Sequence, residues 1–321
     1  MHRTLAAALA AILASGAGHA AAQAFPSKPV RLIVPFPAGG GVDIVARSLA
    51  PHLTERWGQQ VVVDNRPGAG ATLGANIAAH AAADGHNLML ANTAHAINAT
   101  LFKKLPYDPV RDFQPISLIA TQPSVLVVHN SVAAKSVQEL IALAKAKPGA
   151  LNYASSGNGT PPHLSAAMFE DMAGVTLNHV PYKGAAPALT DLLAGQVQLM
   201  FATIISVTPQ LGSGRIRALA VTSPKRSSAL PGVPTVAESG VPGFEATAWF
   251  MLLAPAKTPA ALVQRIARDA AAVVAKPDVA SRFSRDGAEP VGSTPERAAA
   301  FLKSEIARWG KVVKAAKLQV E

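Results

Sequence analysis

Two glycine-rich stretches are the parts of this chain best suited to chemistry. The first is Phe36-Pro37-Ala38-Gly39-Gly40-Gly41-Val42-Asp43, which follows a short apolar run and precedes a helical pattern. The second, Ser155-Ser156-Gly157-Asn158-Gly159-Thr160-Pro161-Pro162-His163, has the same context in the other half of the chain. Glycine lets the backbone approach a ligand closely, and free N–H groups at a helix start favour an anion. Asp43 falls at the cap or in the first turn, where it would orient the loop rather than meet an anion. Neither stretch is a nucleotide loop. Counting from Gly39, Ile44 stands where the last glycine of G-x-G-x-x-G belongs, and no lysine follows the glycines of the second stretch. If the two halves face each other, both turns aim into one cleft.

Other side chains offer less. Ser155 or Ser156 with His163 could be a nucleophile and its base, but the G-x-S-x-G elbow is absent and no orienting acid is evident. Thr93 and His95, in Thr93-Ala94-His95-Ala96-Ile97-Asn98, could line the cleft, or His95 could simply cap its loop. Arg66, in Asn65-Arg66-Pro67-Gly68-Ala69-Gly70, could pair with a carboxylate, although such an arginine more often braces its loop against a neighbouring Asp. Tyr182, in Val180-Pro181-Tyr182-Lys183-Gly184, could shape the cleft, with Lys183 solvated. His129 and His179 read as surface or strand-end residues. No histidines share a metal-ligand spacing, and the chain has no cysteine, which excludes thiol nucleophiles and zinc-thiolate sites. Neither a metal nor a cofactor is expected.

The elements that must carry these residues alternate. Val30 to Phe36 reads as a strand buried on both faces. A helix follows from about Asp43, with Val45, Leu49, Leu53 and Trp57 on one face and a kink or early break expected at Pro51. Val61 to Val63 and Leu88 to Ala91 are strands, with a helix over Ala71 to Ala83 between them. Pro115 to Ala120 and Val125 to Val128 read as two strands split by Pro123. The order then repeats: strand Leu151–Ser155, helix Pro162–Ala173, strand Leu177–Pro181, helix Ala185–Leu193, strands Val197–Ala202 and Ile216–Val221. A Pro/Gly-rich loop from Pro224 to Gly243 leads to a strand at Ala246–Leu253 and helices over Pro259–Ala275 and Pro295–Lys314. Such alternation predicts an α/β fold with mostly parallel sheets, whose ligands bind beyond the carboxyl ends of the strands.

Composition sets the setting. Met1-His2-Arg3, the apolar run Leu5–Ala14 and Ala22-Gln23-Ala24 read as an export signal over residues 1–24, leaving a mature chain that starts near Phe25. That run is too short to span a bilayer, which takes ~20 apolar residues. The formal charge is +10, yet the basic residues are scattered and the three Tyr and three Trp form no stacking platform between them. Nucleic acid is therefore not expected as a partner; a positive surface would instead concentrate anionic ligands.

Taken in order, these segments resemble the Bordetella uptake gene (Bug) family, the tripartite tricarboxylate transporter receptors. The resemblance runs from Pro26-Ser27-Lys28-Pro29 through Pro35-Phe36-Pro37-Ala38-Gly39-Gly40, Asn65-Arg66-Pro67-Gly68-Ala69-Gly70, His95-Ala96-Ile97-Asn98 and Leu105-Pro106-Tyr107-Asp108 to Gly157-Asn158-Gly159-Thr160, Val180-Pro181-Tyr182-Lys183-Gly184 and Pro231-Gly232-Val233-Pro234-Thr235. It implies a two-lobed periplasmic binding protein of the type II, Venus-flytrap kind, acting as a monomer. It also implies that a carboxylate is held mainly by backbone amides and water, with Phe36–Gly41 and Ser155–Thr160 as the contact loops of the two lobes. One lobe would hold residues 25–122 and 223–321, the other residues 123–222. Family members often carry an Asp where this chain has Ala202, so a plain di- or tricarboxylate, or an aromatic carboxylate, is favoured over an amino acid. The implied partners are membrane permease subunits; the alternatives are a sensor that docks on a signalling protein and a periplasmic hydrolase.

Overall fold

Two runs of parallel strands are joined through one long strand. The structure is a computed structural model that describes residues 25–315, except 286, and residue 318. The export segment read over residues 1–24 lies outside the described residues. The first run is built on β1 (Val30–Val34), which pairs in parallel with β2 (Val61–Asn65) on one side and β3 (Asn87–Asn92) on the other. Parallel neighbours need crossovers on the sheet faces. α1 (Gly41–Trp57) and α2 (Thr72–Ala79) supply them. α1 buries Val45, Leu49, Leu53 and Trp57, as the four-residue spacing requires. It also runs through Pro51, contrary to the break expected there. Pro51 is exposed, so the carbonyl its missing N–H leaves free can meet water, while the buried face holds the helix together. α3 (Thr93–Leu101) follows β3 with no intervening turn, capped by Asn92, whose side chain accepts the Ala94 N–H at 3.1 Å.

β4 (Phe113–His129) is a single strand of 17 residues, where two had been expected. Its first half pairs antiparallel with β9 (Thr247–Pro255), ending at Pro123 opposite Thr247. Its second half pairs with β7 (Leu199–Thr203) and β8 (Ile216–Val221), beginning at Ser124 opposite Thr203. Pro123 does not break the strand because it stands where the ladder changes partners, and a missing N–H costs little there. The second parallel run is β7, β5 (Asn152–Ser155) and β6 (Asn178–Pro181), so the path across the sheet is β2-β1-β3-β9-β4-β7-β5-β6. The crossovers here are α5 (Pro161–Ala173) and α6 (Ala185–Leu193). The fold is the α/β, two-lobed arrangement the sequence implied.

Residues 223–246, expected with the first lobe, pack on the second run. The Val236 N–H donates to the Val221 carbonyl at 2.9 Å, and the Phe244 ring lies 6.2 Å from Phe201 and 6.3 Å from Phe169. The chain therefore passes twice between the runs, at 123–124 and 246–247. Thr222 ties the two passages: its hydroxyl accepts the Ser124 N–H at 2.8 Å and donates to the Ala246 carbonyl at 2.7 Å, while its own N–H donates to the Ser124 carbonyl at 2.8 Å. Four helices carried no clear sequence mark: α3, α4 (Val137–Ala146), α7 (Ile204–Leu211) and α9 (Pro277–Arg285). The C-terminal α8 (Ala260–Val274) and α10 (Pro295–Ala315) cover the first run. α10 buries Glu305, whose Oε2 accepts both indole N–H groups of Trp249 and Trp309 at 2.8 and 3.0 Å.

Candidate functional site

Strand register points the carboxyl ends of both parallel runs toward the middle of β4. β3 ends at Asn92, opposite Phe250 of β9, and Phe250 is opposite Ala120 of β4. β7 ends at Thr203, opposite Ser124 of the same strand. The carboxyl ends of both parallel runs therefore approach the passage at 123–124 from opposite sides, and the turns after β1 and β5 extend from those ends. Close approaches agree. A Cβ added at Gly41 would lie 3.6 Å from the Phe250 ring and 3.9 Å from Gln122 Oε1. One added at Gly159 would lie 2.1 Å from Leu101 Cδ2, so the second turn abuts α3 of the first lobe.

The first turn is open. Phe36 is half-buried, and Pro37, Ala38, Gly39 and Gly40 are exposed. Gly39 takes a positive φ of 81° and donates its N–H to Asp43 Oδ2 at 2.8 Å. Asp43 also accepts from Arg47 Nε at 2.9 Å and Asn65 Nδ2 at 3.0 Å, and the same Asn65 amide donates to the Phe36 carbonyl. Burial pushes the Asp43 carboxyl up, but the hydrogen bonds from Arg47, Gly39 and Asn65 outweigh it and leave the carboxyl below its ordinary range. Asp43 is thus spent on the loop's own geometry. Among the described residues no acceptor stands opposite the Gly40 or Gly41 N–H. Arg66 pairs with Asp64 at 3.0 Å.

The second turn is more internally bonded. Ser155 is sealed, and its hydroxyl accepts the Gly157 N–H at 3.1 Å and lies 2.7 Å from His179 Nε2. That distance would suit a nucleophile and base, but a fully buried Oγ cannot reach a substrate carbonyl. Thr160 donates its hydroxyl to the Gly157 carbonyl at 2.7 Å, and the Gly159 N–H donates to His163 Nδ1 at 2.9 Å. Pro161 and Pro162 open α5 without N–H groups, so this helix start offers fewer donors than its glycines promised. Free N–H groups remain on Ser156 and Asn158 among the described residues. Beneath the turn three rings stack: His163 on His179 at 4.0 Å, and His179 on Tyr153 at 4.7 Å. Burial, then the neighbouring His179, pushes His163 down to about 4, and burial lowers His179. Tyr182 donates its hydroxyl to Asp191 at 2.7 Å, and burial with that bond raises it to about 12.

Three expected contact residues are not brought to the turns. Thr93 is sealed, its hydroxyl accepting the Trp249 N–H at 3.1 Å. His95 points into the first lobe, with Nε2 at 2.9 Å from the Pro109 carbonyl and its ring edge-on to Phe113; burial pushes it down to about 4. The cause is local. α3 starts directly on β3, so its first turn carries His95 inward rather than over an open loop. Ala202 is buried with Val125 and Ala154, because strand alternation sends it to the same face as Met200. Gln122, Phe250 and Leu101, which stand against the turns, were not marked by the sequence. Gln122 alone had a signal: a long polar side chain within an apolar strand.

Comparison with known proteins is consistent along the chain. Residues 45–318 match the family model described as the tripartite tricarboxylate transporter family receptor. Protein BugT of Bordetella pertussis is 38% identical over 98% of this chain and 98% of its own. Among solved structures, an R. palustris protein with adipate is 39% identical, covers 92% of this chain and 99% of its own, and superposes with a TM-score of 0.86. MatC from Rhodopseudomonas palustris with bound malate is 34% identical, covers 90% of this chain and 100% of its own, with a TM-score of 0.82.

Proposed function

The chain belongs to the tripartite tricarboxylate transporter receptor family, a family of periplasmic binding proteins, and from that premise we propose that it captures a small organic carboxylate between its two glycine turns. What supports this reading is that the turns after β1 and β5 extend from strand ends that face the passage at 123–124 from opposite sides, each with backbone N–H groups that carry no hydrogen bond among the described residues. An anion placed there is met from both lobes by neutral donors that need no counter-charge. Adipate and malate, the acids bound in two solved relatives, support a ligand class of dicarboxylates or related acids without an obligatory ammonium group. The side chains near the turns fit this, since Asp43 is already committed to Arg47, Gly39 and Asn65.

On the same reading the hinge comprises the two passages pinned by Thr222, the exported mature chain begins near Phe25, and the closed form is what permease subunits receive. Closure requires a ligand that gains contacts in the closed state which the open state lacks. A thermal-shift screen of the mature chain against a panel of organic acids tests the reading. A ligand at ~100 times its Kd stabilises by about 2.7 kcal/mol, readily seen as a raised Tm. A panel of di-, tri- and aromatic carboxylates that leaves the Tm unmoved would refute it.

A further inference from the structure

The second turn depends on an imidazole. We propose that His163 is a positioning residue: its unprotonated Nδ1 holds the Gly159 N–H, and with it the point where the second turn meets Leu101, so that closure on a ligand is coupled to deprotonation of His163. This rests on the reading of the chain as a carboxylate receptor.

The geometry is explicit. Gly159 is buried, has a φ of +72°, and gives its N–H to His163 Nδ1 at 2.9 Å. A proton on Nδ1 would set two donors against each other at that distance, and Gly159 would have to leave. Gly159 is also the residue against which Leu101 of the first lobe packs, since even a Cβ there would fall 2.1 Å from Leu101 Cδ2. Disturbing the hydrogen bond therefore disturbs the junction between the lobes. The surroundings offer the protonated ring no relief. His179 stacks on it at 4.0 Å with an interplanar angle of 11°, and a second positive ring at that separation is disfavoured. The other titratable groups nearby are Tyr153 on β5, Glu170 on the same helix with its Oε1 accepting the Leu177 N–H, and Tyr182 bonded to Asp191. α10, packed along α5, contributes Glu305 and Arg308, which pair with each other.

The test compares the mature chain with His163→Asn, whose amide oxygen can stand near Nδ1 and accept the same N–H without titrating. Kd for adipate and for malate is measured by calorimetry between pH 7.5 and pH 5.5 in both proteins. Ligand ionisation contributes equally to both profiles and cancels in their difference, and His179→Asn, run alone and combined with His163→Asn, separates the contribution of the stacked partner ring. Because a proton on Nδ1 removes the Gly159 hydrogen bond and with it the contact to Leu101, the wild type should lose affinity more steeply than the variant as pH falls from 7.5 to 5.5. Parallel pH profiles would overturn the coupling, and a His163→Ala protein that binds like the wild type would overturn the positioning role. Should no acid bind, the carboxylate reading fails separately and the ring is read directly. Nitrogen NMR should find a bare Nδ1 and a protonated Nε2, with the Gly159 amide shift following the ring's titration; the opposite tautomer would overturn the inference without any ligand.

Discussion

Gly159→Ala separates two effects that are usually confounded. A side chain at this position suffers first from the backbone, whose φ of +72° costs an L-residue roughly 1–2 kcal/mol. That strain is present whether the lobes are open or closed, so it lowers stability and leaves affinity untouched. The second effect is the contact with Leu101, whose Cδ2 lies 2.1 Å and whose Cγ lies 3.4 Å from the new methyl. Leu101 is 2% exposed and cannot swing into solvent. Forcing a methyl into such a packed contact costs about 1–3 kcal/mol, and only where the second turn meets α3. Binding that depends on this arrangement should therefore weaken about 5- to 150-fold. Leu101→Val removes both δ-carbons at a stability cost of ~1 kcal/mol. Combined with Gly159→Ala it should restore most of the affinity while leaving the stability deficit in place. The assay is a double-mutant cycle on ligand Kd by calorimetry, with urea unfolding run in parallel. If Leu101→Val fails to recover affinity, or if Gly159→Ala binds normally while unfolding early, the turn does not meet the first lobe in the bound form and the argument fails.

Gly40→Val should keep the fold, since a Cβ there meets nothing nearer than the Pro37 carbonyl at 3.5 Å, yet it should abolish the ligand-induced rise in Tm by filling the open first turn; a normal shift would remove that turn from the site. Thr222→Val strands the Ser124 N–H between the two passages, and because Thr222 is fully buried the loss should be about 1–3 kcal/mol in urea unfolding. Asp43→Asn weakens the bonds that hold Gly39 and Asn65, costing ~1–3 kcal/mol at neutral pH. Since the folded Asp43 carboxyl lies below its ordinary range, its contribution is present above the unfolded value and lost as pH falls through the folded one. The gap between wild type and Asp43→Asn in unfolding free energy should thus be constant above about pH 5 and shrink below about pH 4; a gap that widens in acid would contradict the assignment.

The local units can be read from the residues alone. Val30–Val34, the four-residue stripe of α1 and the strand–turn–helix order around Phe36–Gly41 and Ser155–Thr160 were legible because periodicity, glycine and helix-start chemistry act over a few residues. Asp43 and Arg66 could be read as braces for the same reason: their partners Gly39, Arg47 and Asp64 are close in sequence. Tertiary structure decided everything that depends on a distant partner. Pro123 looks like a strand breaker until β4 exchanges β9 for β7 at that point. Thr93, His95 and Ala202 look available until the starting angle of α3 and the alternation of β7 turn them inward. The donors that remain free, and the partners that consume the rest, follow from contacts such as Gly159 with His163 and Leu101, where two apolar or uncharged groups meet only because the sheet brings remote segments together. Hydrogen-bond satisfaction is a property of the packed chain, so no reading of spacing alone could say which N–H groups would still be waiting for a ligand.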